Sequence, residues 1–354
     1  MGNRKKLRIL IGFMKDKASI IKATLSTKRN TSAIHRKILQ ATTHGECAPP
    51  SDHRVTTILS LGHGSHLAVR ASIETLMDRL RATHDATVAL KSLFIIHNIL
   101  SKGSFILQQQ LSIYLSCGGY NSLNLSNFRD DLDPETWELS SWVRWYANIL
   151  EQTLMVTRVL EYCFSSSSSS TKKVEDKEKV LSSSDLLNET DILVQYVAQI
   201  CNAPDSLHLQ SHRFVYEVIR LVSEDYRLIQ REIFIRVTKT GERMRSLNIV
   251  ELTQFQSSLN KFEDCKQRLG LLFANRVKND GLWDLISETK SKVLVVINEK
   301  KEEERLAKIK RNESTELTRF RERFPQSGQM FWFTSTGGGW LALDWVSLTV
   351  STVG

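Results

Sequence analysis

Apolar residues recur at every third or fourth position along most of the chain, which is the spacing that places them on one face of an α-helix. Only 5 prolines and 16 glycines occur in 354 residues, too few for the many tight turns of an all-β protein. No strand pattern alternates with the helical segments. We therefore predict an all-α fold, a curved stack of helices joined by short links. The predicted helices span about 32–43, 53–61, 65–83, 88–100, 104–115, 134–164, 184–201, 207–240, 248–275 and 281–311.

Ahead of these segments, a first helix carries two stripes of residues. The apolar stripe consists of Leu7, Ile11, Met14, Ala18, Ile21 and Leu25. The cationic stripe lies on a different face of the helix and consists of Arg8, Lys15 and Lys22. Because a surface helix usually buries its apolar face, we expect the apolar stripe to pack against the protein and the cationic stripe to face outward.

The segment 88–100 is apolar on nearly every side, which is typical of a central, buried helix. We expect His97 in this helix to be a buried imidazole whose hydrogen bonds are satisfied. Lys91 is expected to reach the surface or to pair with a carboxylate. Trp142, in the helix predicted over 134–164, is expected to pack in the core.

The sequence carries no pattern typical of a catalytic or metal site. It has no Gly-rich phosphate loop, no G-x-S-x-G elbow and no H-E-x-x-H motif. His63 and His66 are closely spaced but have no carboxylate or cysteine beside them, and the 5 cysteines are widely separated. We therefore predict a protein that is not an enzyme, with no catalytic residue, metal or cofactor, whose thiols are reduced as in the cytosol.

Two segments depart from the helical pattern. Residues 165–180 begin with a run of serines and continue with Lys and Glu, which predicts a flexible insertion because the segment has nothing to bury. We expect 1–164 to form the N-terminal, membrane-facing part of one helical domain and 181–311 its C-terminal helices. The tail, 312–354, becomes rich in aromatic residues and glycine after 325. A foreign or frame-altered segment and a native interfacial anchor both remain open for it.

The formal net charge of +9 is concentrated at one end of the chain. Residues 1–40 hold eleven Lys and Arg residues against one acid, Asp16, whereas the remainder is close to neutral. Such an end attracts polyanions, either an anionic membrane surface or nucleic acid. Because Phe13 and Met14 lie among the lysines, a membrane surface is favoured. A basic helical module that binds nucleic acid or a partner peptide is the alternative.

Several segments carry a specific pattern, in order along the chain. They are residues 1–17, ATTHGECAPP at 41–50, HDATVALKSLFIIH at 84–97, NFRDD at 127–131 and WVRWYA at 142–147. Together they resemble plant clathrin assembly proteins with an ANTH domain, over roughly residues 1–300. The resemblance implies a superhelical all-α fold that binds phosphatidylinositol 4,5-bisphosphate at its N-terminal end. It also implies clathrin and adaptor proteins as partners, in some members a vesicle SNARE, and a cytoplasmic, peripheral location at clathrin-coated pits and vesicles or the Golgi.

The lipid motif of this family, K-x9-K-x-(K/R)-(H/Y), is largely lost in this chain. Its three cationic positions are occupied by Gln40, Pro50 and Asp52, and only His53 matches. A basic group near an anionic leaflet contributes about 1 kcal/mol, so the loss weakens headgroup binding by about 3 kcal/mol. Nearby bases could restore a diffuse attraction, which predicts weak, salt-sensitive membrane binding with little preference among phosphoinositides. The predicted lipid-binding residues are Arg8, Lys15, Lys22, Arg36, Lys37, His53 and Arg54.

The resemblance to clathrin adaptors directs attention to short acidic and apolar motifs. Asp185, Leu186 and Leu187 are the sole candidate for a clathrin-binding motif. The alternative interpretation is that Ser184 or Asp185 caps a helix whose core face includes Leu186. The helices after 184 could also present a groove for a SNARE helix.

Overall fold

The computed structural model describes residues 2–24, 29–117, 123–165, 182–205, 212–273 and 280–323. Within these ranges no β-strand occurs, which confirms the predicted all-α class. Two short 3₁₀ turns, Ser60–His63 and Met244–Ser246, accompany the α-helices. The α-helices are α1 (Gly2–Thr24), α2 (Arg29–Ala41), α3 (Asp52–Leu59), α4 (His66–Ala82), α5 (Ala86–Lys102), α6 (Phe105–Cys117), α7 (Pro134–Ser165), α8 (Ser183–Cys201), α9 (Arg213–Glu242), α10 (Ile249–Asp264), α11 (Lys266–Leu272) and α12 (Asp280–Arg323).

Several of these helices begin at a residue whose side chain caps the first turn. Ser65 accepts a hydrogen bond from the amide of Ala68, and Asp85 accepts hydrogen bonds from the amides of Thr87 and Val88. Such caps pair amide groups that the helix itself leaves without partners. They explain why several predicted helix starts agree closely with the observed ones. Apart from Ser165, the predicted insertion lies outside the described residues, as does the tail after Arg323.

The prediction of one helix over 248–275 is wrong in one respect, because this region forms two helices. α10 ends at Asp264 and α11 begins at Lys266. At the junction, Cys265 donates its amide to the carbonyl of Phe262, a tighter turn than the α-helical one. Leu269 and Leu272 on α11 are buried.

The helices up to Glu299 surround one continuous apolar core. α5 is its centre, since every residue from Ala86 to Ile99 is buried, which confirms the prediction for this segment. α7 packs along α5, α8 packs along α7, and α9 and α10 both pack against α8. Trp142 on α7 is buried as predicted. This stack holds the N-terminal helices at a defined place on the domain.

A buried polar cluster connects four helices inside the core. His97 on α5 lies 2.9 Å from Asp225 on α9 through Nε2 and 2.9 Å from the Tyr146 hydroxyl on α7 through Nδ1. The Tyr196 hydroxyl on α8 donates to the same Asp225 carboxylate at 3.4 Å. Burial raises the pKa of both tyrosines well above the ordinary value, so they stay protonated. The prediction that His97 is a satisfied buried imidazole is confirmed.

The chain divides into two compact units, Met1–Glu299 and Lys300–Gly354. Helix α12 enters the second unit, where its side chains over 301–311 are exposed. The helix extends beyond the predicted end at Arg311 because the following residues include Glu, Leu and Arg, which favour a helix. None of the described helices has the length and apolar content needed to cross a bilayer.

Candidate functional site

The first helix presents a broad apolar surface to solvent. Its exposed apolar residues are Leu7, Leu10, Ile11, Phe13, Met14 and Ile21, whose side chains are between 45% and 63% exposed. We call these six residues the α1 apolar surface. The prediction that this stripe packs against the protein is therefore wrong. An exposed apolar patch of this size on a helix is typical of a surface that binds a membrane or another protein.

The helix instead packs through a narrow face that contains Gly12 and Asp16, both of which are buried. Gly12 allows α1 to approach the α2–α3 loop closely, since a Cβ atom at this position would lie 2.5 Å from the Cβ atom of His44. Among the described side chains of α1, Gly12 and Asp16 are the two buried residues. Two small or polar residues therefore determine the orientation of α1, and the apolar stripe faces away from the core.

Asp16 is the centre of a part-buried ionic cluster that fastens α1. Its carboxylate accepts a hydrogen bond from Arg79 on α4 at 2.9 Å and from the His44 amide at 2.8 Å. The His44 ring lies 2.7 Å from the same carboxylate, and Nδ1 must donate because a carboxylate only accepts. Burial by itself would raise the pKa of Asp16, but His44 and Arg79 lower it further than burial raises it. Asp16 is therefore ionised at neutral pH.

The burial of Asp16 changes the charge that α1 shows to solvent. Asp16 is the only acid among the first forty residues, and its charge is neutralised inside the fold by Arg79. Lys15 and Lys17 beside it are exposed, and Lys17 lies 4.5 Å from the centre of the Phe13 ring. The exposed α1 side chains thus combine lysines with the α1 apolar surface. Arg8 and Lys22 are part of α1, but their side chains lie outside the described residues.

A groove of about 1160 Å³ lies between α1, the turn that follows α4 and the turn that precedes α7. Leu7, Ile11 and Lys15 form one wall, and Leu132 and Pro134 lie opposite. The groove leaves one side of the α1 apolar surface accessible to solvent.

The residues that correspond to the lipid motif lie at the α2–α3 loop. Gln40 near the end of α2 is exposed, Pro50 is buried, and Asp52 is the first residue of α3. None of these three can provide the cation that the motif requires at its position. Four of the predicted lipid-binding residues lie nearby on α2 and α3 and are partly or fully exposed: Arg36, Lys37, His53 and Arg54.

Lys91 adds a buried positive charge beneath this loop, which the sequence pattern did not indicate. The prediction that it reaches the surface or pairs with a carboxylate is wrong: its side chain is 5% exposed and donates to the backbone carbonyl of Thr43 at 3.0 Å. Burial lowers its pKa, and repulsion from Arg54 lowers it further. The side chain of Lys91 thus lies close enough to Arg54, at the start of α3, for the two positive charges to repel each other. A lysine within an apolar run was the only signal in the sequence.

The candidate clathrin motif lies at the start of α8. Ser182, and not Ser184 or Asp185, is the capping residue, and its hydroxyl accepts a hydrogen bond from the Asp185 amide. Leu186 and Leu187 are each only 2% exposed because they pack in the core. A linear motif must present its leucines to a partner, and the folded domain does not present these two. Among the described residues there is also no cluster of His, Cys, Asp and Glu that could hold a metal ion.

Comparison with known proteins shows a consistent set of relatives. The family model of the ANTH domain matches residues 33–275. A "Putative clathrin assembly protein" of Arabidopsis thaliana is 41% identical over 298 residues, which cover 82% of this chain and 82% of the relative. Another Arabidopsis thaliana protein of the same description is 31% identical over 294 residues, or 80% of this chain and 84% of the relative. Both matches extend over most of the two chains compared.

Proposed function

Since this chain belongs to the ANTH-domain family of plant clathrin assembly proteins, we propose that it is a non-enzymatic adaptor that binds anionic membranes and recruits clathrin to them. The observation that carries the membrane part is the pairing of exposed lysines with the α1 apolar surface. The names of the relatives support the clathrin part. On this proposal the protein works at the cytoplasmic face of coated pits or vesicles, of plasma-membrane or Golgi origin.

Membrane binding by α1 would use two kinds of interaction. An apolar side chain that moves from water into the acyl boundary contributes on the order of 1.5–3 kcal/mol when it is fully buried. Each lysine near an anionic leaflet adds about 1 kcal/mol. Six apolar side chains on α1 are exposed, so even partial insertion would outweigh the electrostatic attraction of Lys15 and Lys17. This combination favours a membrane over nucleic acid, since a duplex offers no apolar phase.

The preference among phosphoinositides should be small. A selective headgroup site needs several convergent cations, and Gln40, Pro50 and Asp52 remove three of them. His53, Arg54 and the buried Lys91 leave a general positive potential around the start of α3. We therefore infer that total negative lipid charge determines binding more than the position of the phosphates.

Vesicle flotation tests the membrane proposal. Purified full-length protein is mixed with phosphatidylcholine vesicles that contain phosphatidylserine, phosphatidylinositol 4-phosphate or the 4,5-bisphosphate at matched total charge, in low and high salt. We expect similar binding to all three kinds and weaker binding in high salt. The double variant Phe13→Ser/Met14→Ser should lose most of the bound fraction. The matched control Leu228→Ser, which removes an exposed leucine from α9, should bind as the wild type.

Two results would overturn the membrane proposal. One is binding to neutral and anionic vesicles alike, or to neither, in low salt. The other is unchanged flotation of the Phe13→Ser/Met14→Ser variant, which would show that α1 does not enter the bilayer. RNA binding of comparable strength in the same buffer would favour the nucleic-acid alternative.

Clathrin recruitment is tested separately, with purified clathrin and cage formation measured by sedimentation. We expect the protein to promote assembly and to carry clathrin onto anionic vesicles. Absence of both effects would restrict the role to membrane binding. SNARE binding is a finer part of the proposal, supported by α9, where exposed Leu228 and Phe234 lie beside Arg227 and Arg231. An amphipathic SNARE helix is the kind of partner that such a surface fits.

A further inference from the structure

A second cavity lies on another part of the domain, between α7 and the C-terminal end of α8. Its volume is about 740 Å³, and its lining is largely polar. Arg144 and Glu151 belong to the α7 wall, with Asn148 between them, and Gln199 and Asn202 belong to the α8 wall. Neither the lipid nor the clathrin role uses these residues.

The two charged groups of the α7 wall lack opposite charges within the described part of the chain. Arg144 donates to the carbonyl of Phe128 and to the hydroxyl of Ser141, each at 2.8 Å, but contacts no carboxylate. Burial lowers its pKa, and the nearby Arg129 lowers it further, so the guanidinium lies in an unfavourable environment. Glu151 is half-buried and accepts no hydrogen bond from a described residue, and burial raises its pKa. An anionic group near Arg144 and a cationic group near Glu151 would give each of these side chains a partner of opposite charge.

The other polar groups of the pocket are already held in place. Gln199 accepts hydrogen bonds from Asn148 at 2.9 Å and from Trp145 at 3.1 Å. The third charged lining residue, Asp205, pairs with Arg268 at 2.5 Å. Arg268 also donates to the carbonyl of Ala203 at 2.6 Å, which holds the end of the α8 wall. The pocket is therefore preformed, and among the described residues no side chain of opposite charge pairs with Arg144 or Glu151.

We propose that this pocket binds an extended peptide in which an acidic side chain meets Arg144 and a basic side chain three residues away meets Glu151. The spacing follows from the helix. Arg144 and Glu151 are seven positions apart, which is about 10 Å along the axis of α7. A peptide in the extended polyproline II conformation advances about 3.1 Å per residue with three residues per turn, so side chains three residues apart lie on one face of the peptide, about 9 Å apart. Unused donors and acceptors of Asn148, Gln199 and Asn202 can contact the peptide backbone between the charges.

Fluorescence anisotropy with three labelled peptides tests this proposal. The probe contains Asp-Ala-Ala-Lys between glycines, and the comparison peptides replace its Asp or its Lys by Asn. We expect the Asp-Ala-Ala-Lys peptide to bind about fivefold more tightly than either comparison peptide, since each lost pair is partly exposed. In Glu151→Gln, the advantage over the Lys→Asn peptide should disappear while the advantage over the Asp→Asn peptide remains. Arg144→Gln should show the reverse.

The control variant Glu242→Gln changes an exposed acid on α9 and should leave all three affinities unchanged. Because Arg144 also supports the segment before α7, Arg144→Gln is checked for cooperative thermal unfolding, and Glu151→Gln provides an independent test. Equal binding of the three peptides, or no saturable binding, would overturn the proposal. So would a loss of binding in both variants that does not depend on which peptide is used. The result is independent of vesicle flotation, because no residue of α1 lines this pocket.

Discussion

Asp16 on α1 accepts a hydrogen bond from Arg79 on α4 at 2.9 Å, although the two residues are 63 positions apart in the chain. This ion pair holds the polar face of α1 against the domain and leaves the α1 apolar surface in solvent. The only acid of the basic N-terminal end is thereby removed from the surface.

Replacing Asp16 by Ala should reduce the stability of the domain. Arg79 and the His44 amide would lose their carboxylate partner in a part-buried site, which costs about 1–3 kcal/mol. The free energy of unfolding, measured with urea and far-UV circular dichroism, should fall by this amount. Asp78→Ala, at an exposed position of α4, serves as the control and should change little. Equal stability of the two variants would show that the ion pair does not fasten α1.

The same ion pair predicts a pH dependence. The pKa of Asp16 is lowered in the folded state, so the folded state favours the carboxylate more than the unfolded state does. Its contribution to stability is complete above the ordinary carboxyl pKa and is lost as the pH falls through the lower folded-state value. The difference in unfolding free energy between wild type and Asp16→Asn should therefore be constant near neutral pH and shrink in acid. A difference that grows in acid would contradict this assignment.

Gly12→Ala should destabilise the protein even though alanine favours a helix by about 1 kcal/mol over glycine. The new Cβ atom would lie 2.5 Å from the Cβ atom of His44, so α1 or the α2–α3 loop must move. Overpacking of this kind costs about 1–3 kcal/mol. Gly270→Ala, inside α11, where the added Cβ meets no atom within 4 Å, is the control for the propensity gain. A more stable Gly12→Ala variant would disprove the close approach.

Asp225→Ala should destabilise the protein more than Glu224→Ala, the same substitution at the adjacent position. The change leaves His97 and Tyr196 without their shared acceptor inside the core, at a cost of about 1–3 kcal/mol. Glu224→Ala removes an adjacent acid that pairs with Arg220 at the surface, where ion pairs contribute at most about 1 kcal/mol. Thermal unfolding of the two variants should differ clearly. Similar melting temperatures would show that the buried cluster does not stabilise the stack.

Leu187→Ala separates a structural role from a clathrin-binding role. Leu187 is 2% exposed, so truncation leaves a cavity and should cost about 2–5 kcal/mol of unfolding free energy. At a temperature where the variant is folded, its clathrin binding should equal that of the wild type. Val250→Ala, at an exposed position of α10, should change neither property. Loss of clathrin binding without loss of stability would restore the linear motif as the contact.

The local features of the sequence predicted most of the helices because caps and apolar periodicity act within a few residues. Asp85 and Ser65 begin α5 and α4 as their residue types suggest, and the apolar run of α5 is central. The break at Cys265 was missed because no Gly or Pro marks it in the sequence; it is visible only in the backbone hydrogen bond from Cys265 to Phe262. Lys91 was misplaced for a similar reason: its partner is the carbonyl of Thr43, and backbone groups leave no trace in a residue pattern.

The sequence by itself determined that the protein is all-α, that its N-terminal end is basic and that α1 has an apolar and a cationic stripe, because these properties depend on residue type and helical period alone. Only the tertiary structure decided which face of α1 is buried. That choice depends on the contact of Gly12 with His44 and on the pairing of Asp16 with Arg79, both between residues far apart in the chain. The same long-range packing buried Leu187 and brought α7 and α8 together around Arg144 and Glu151.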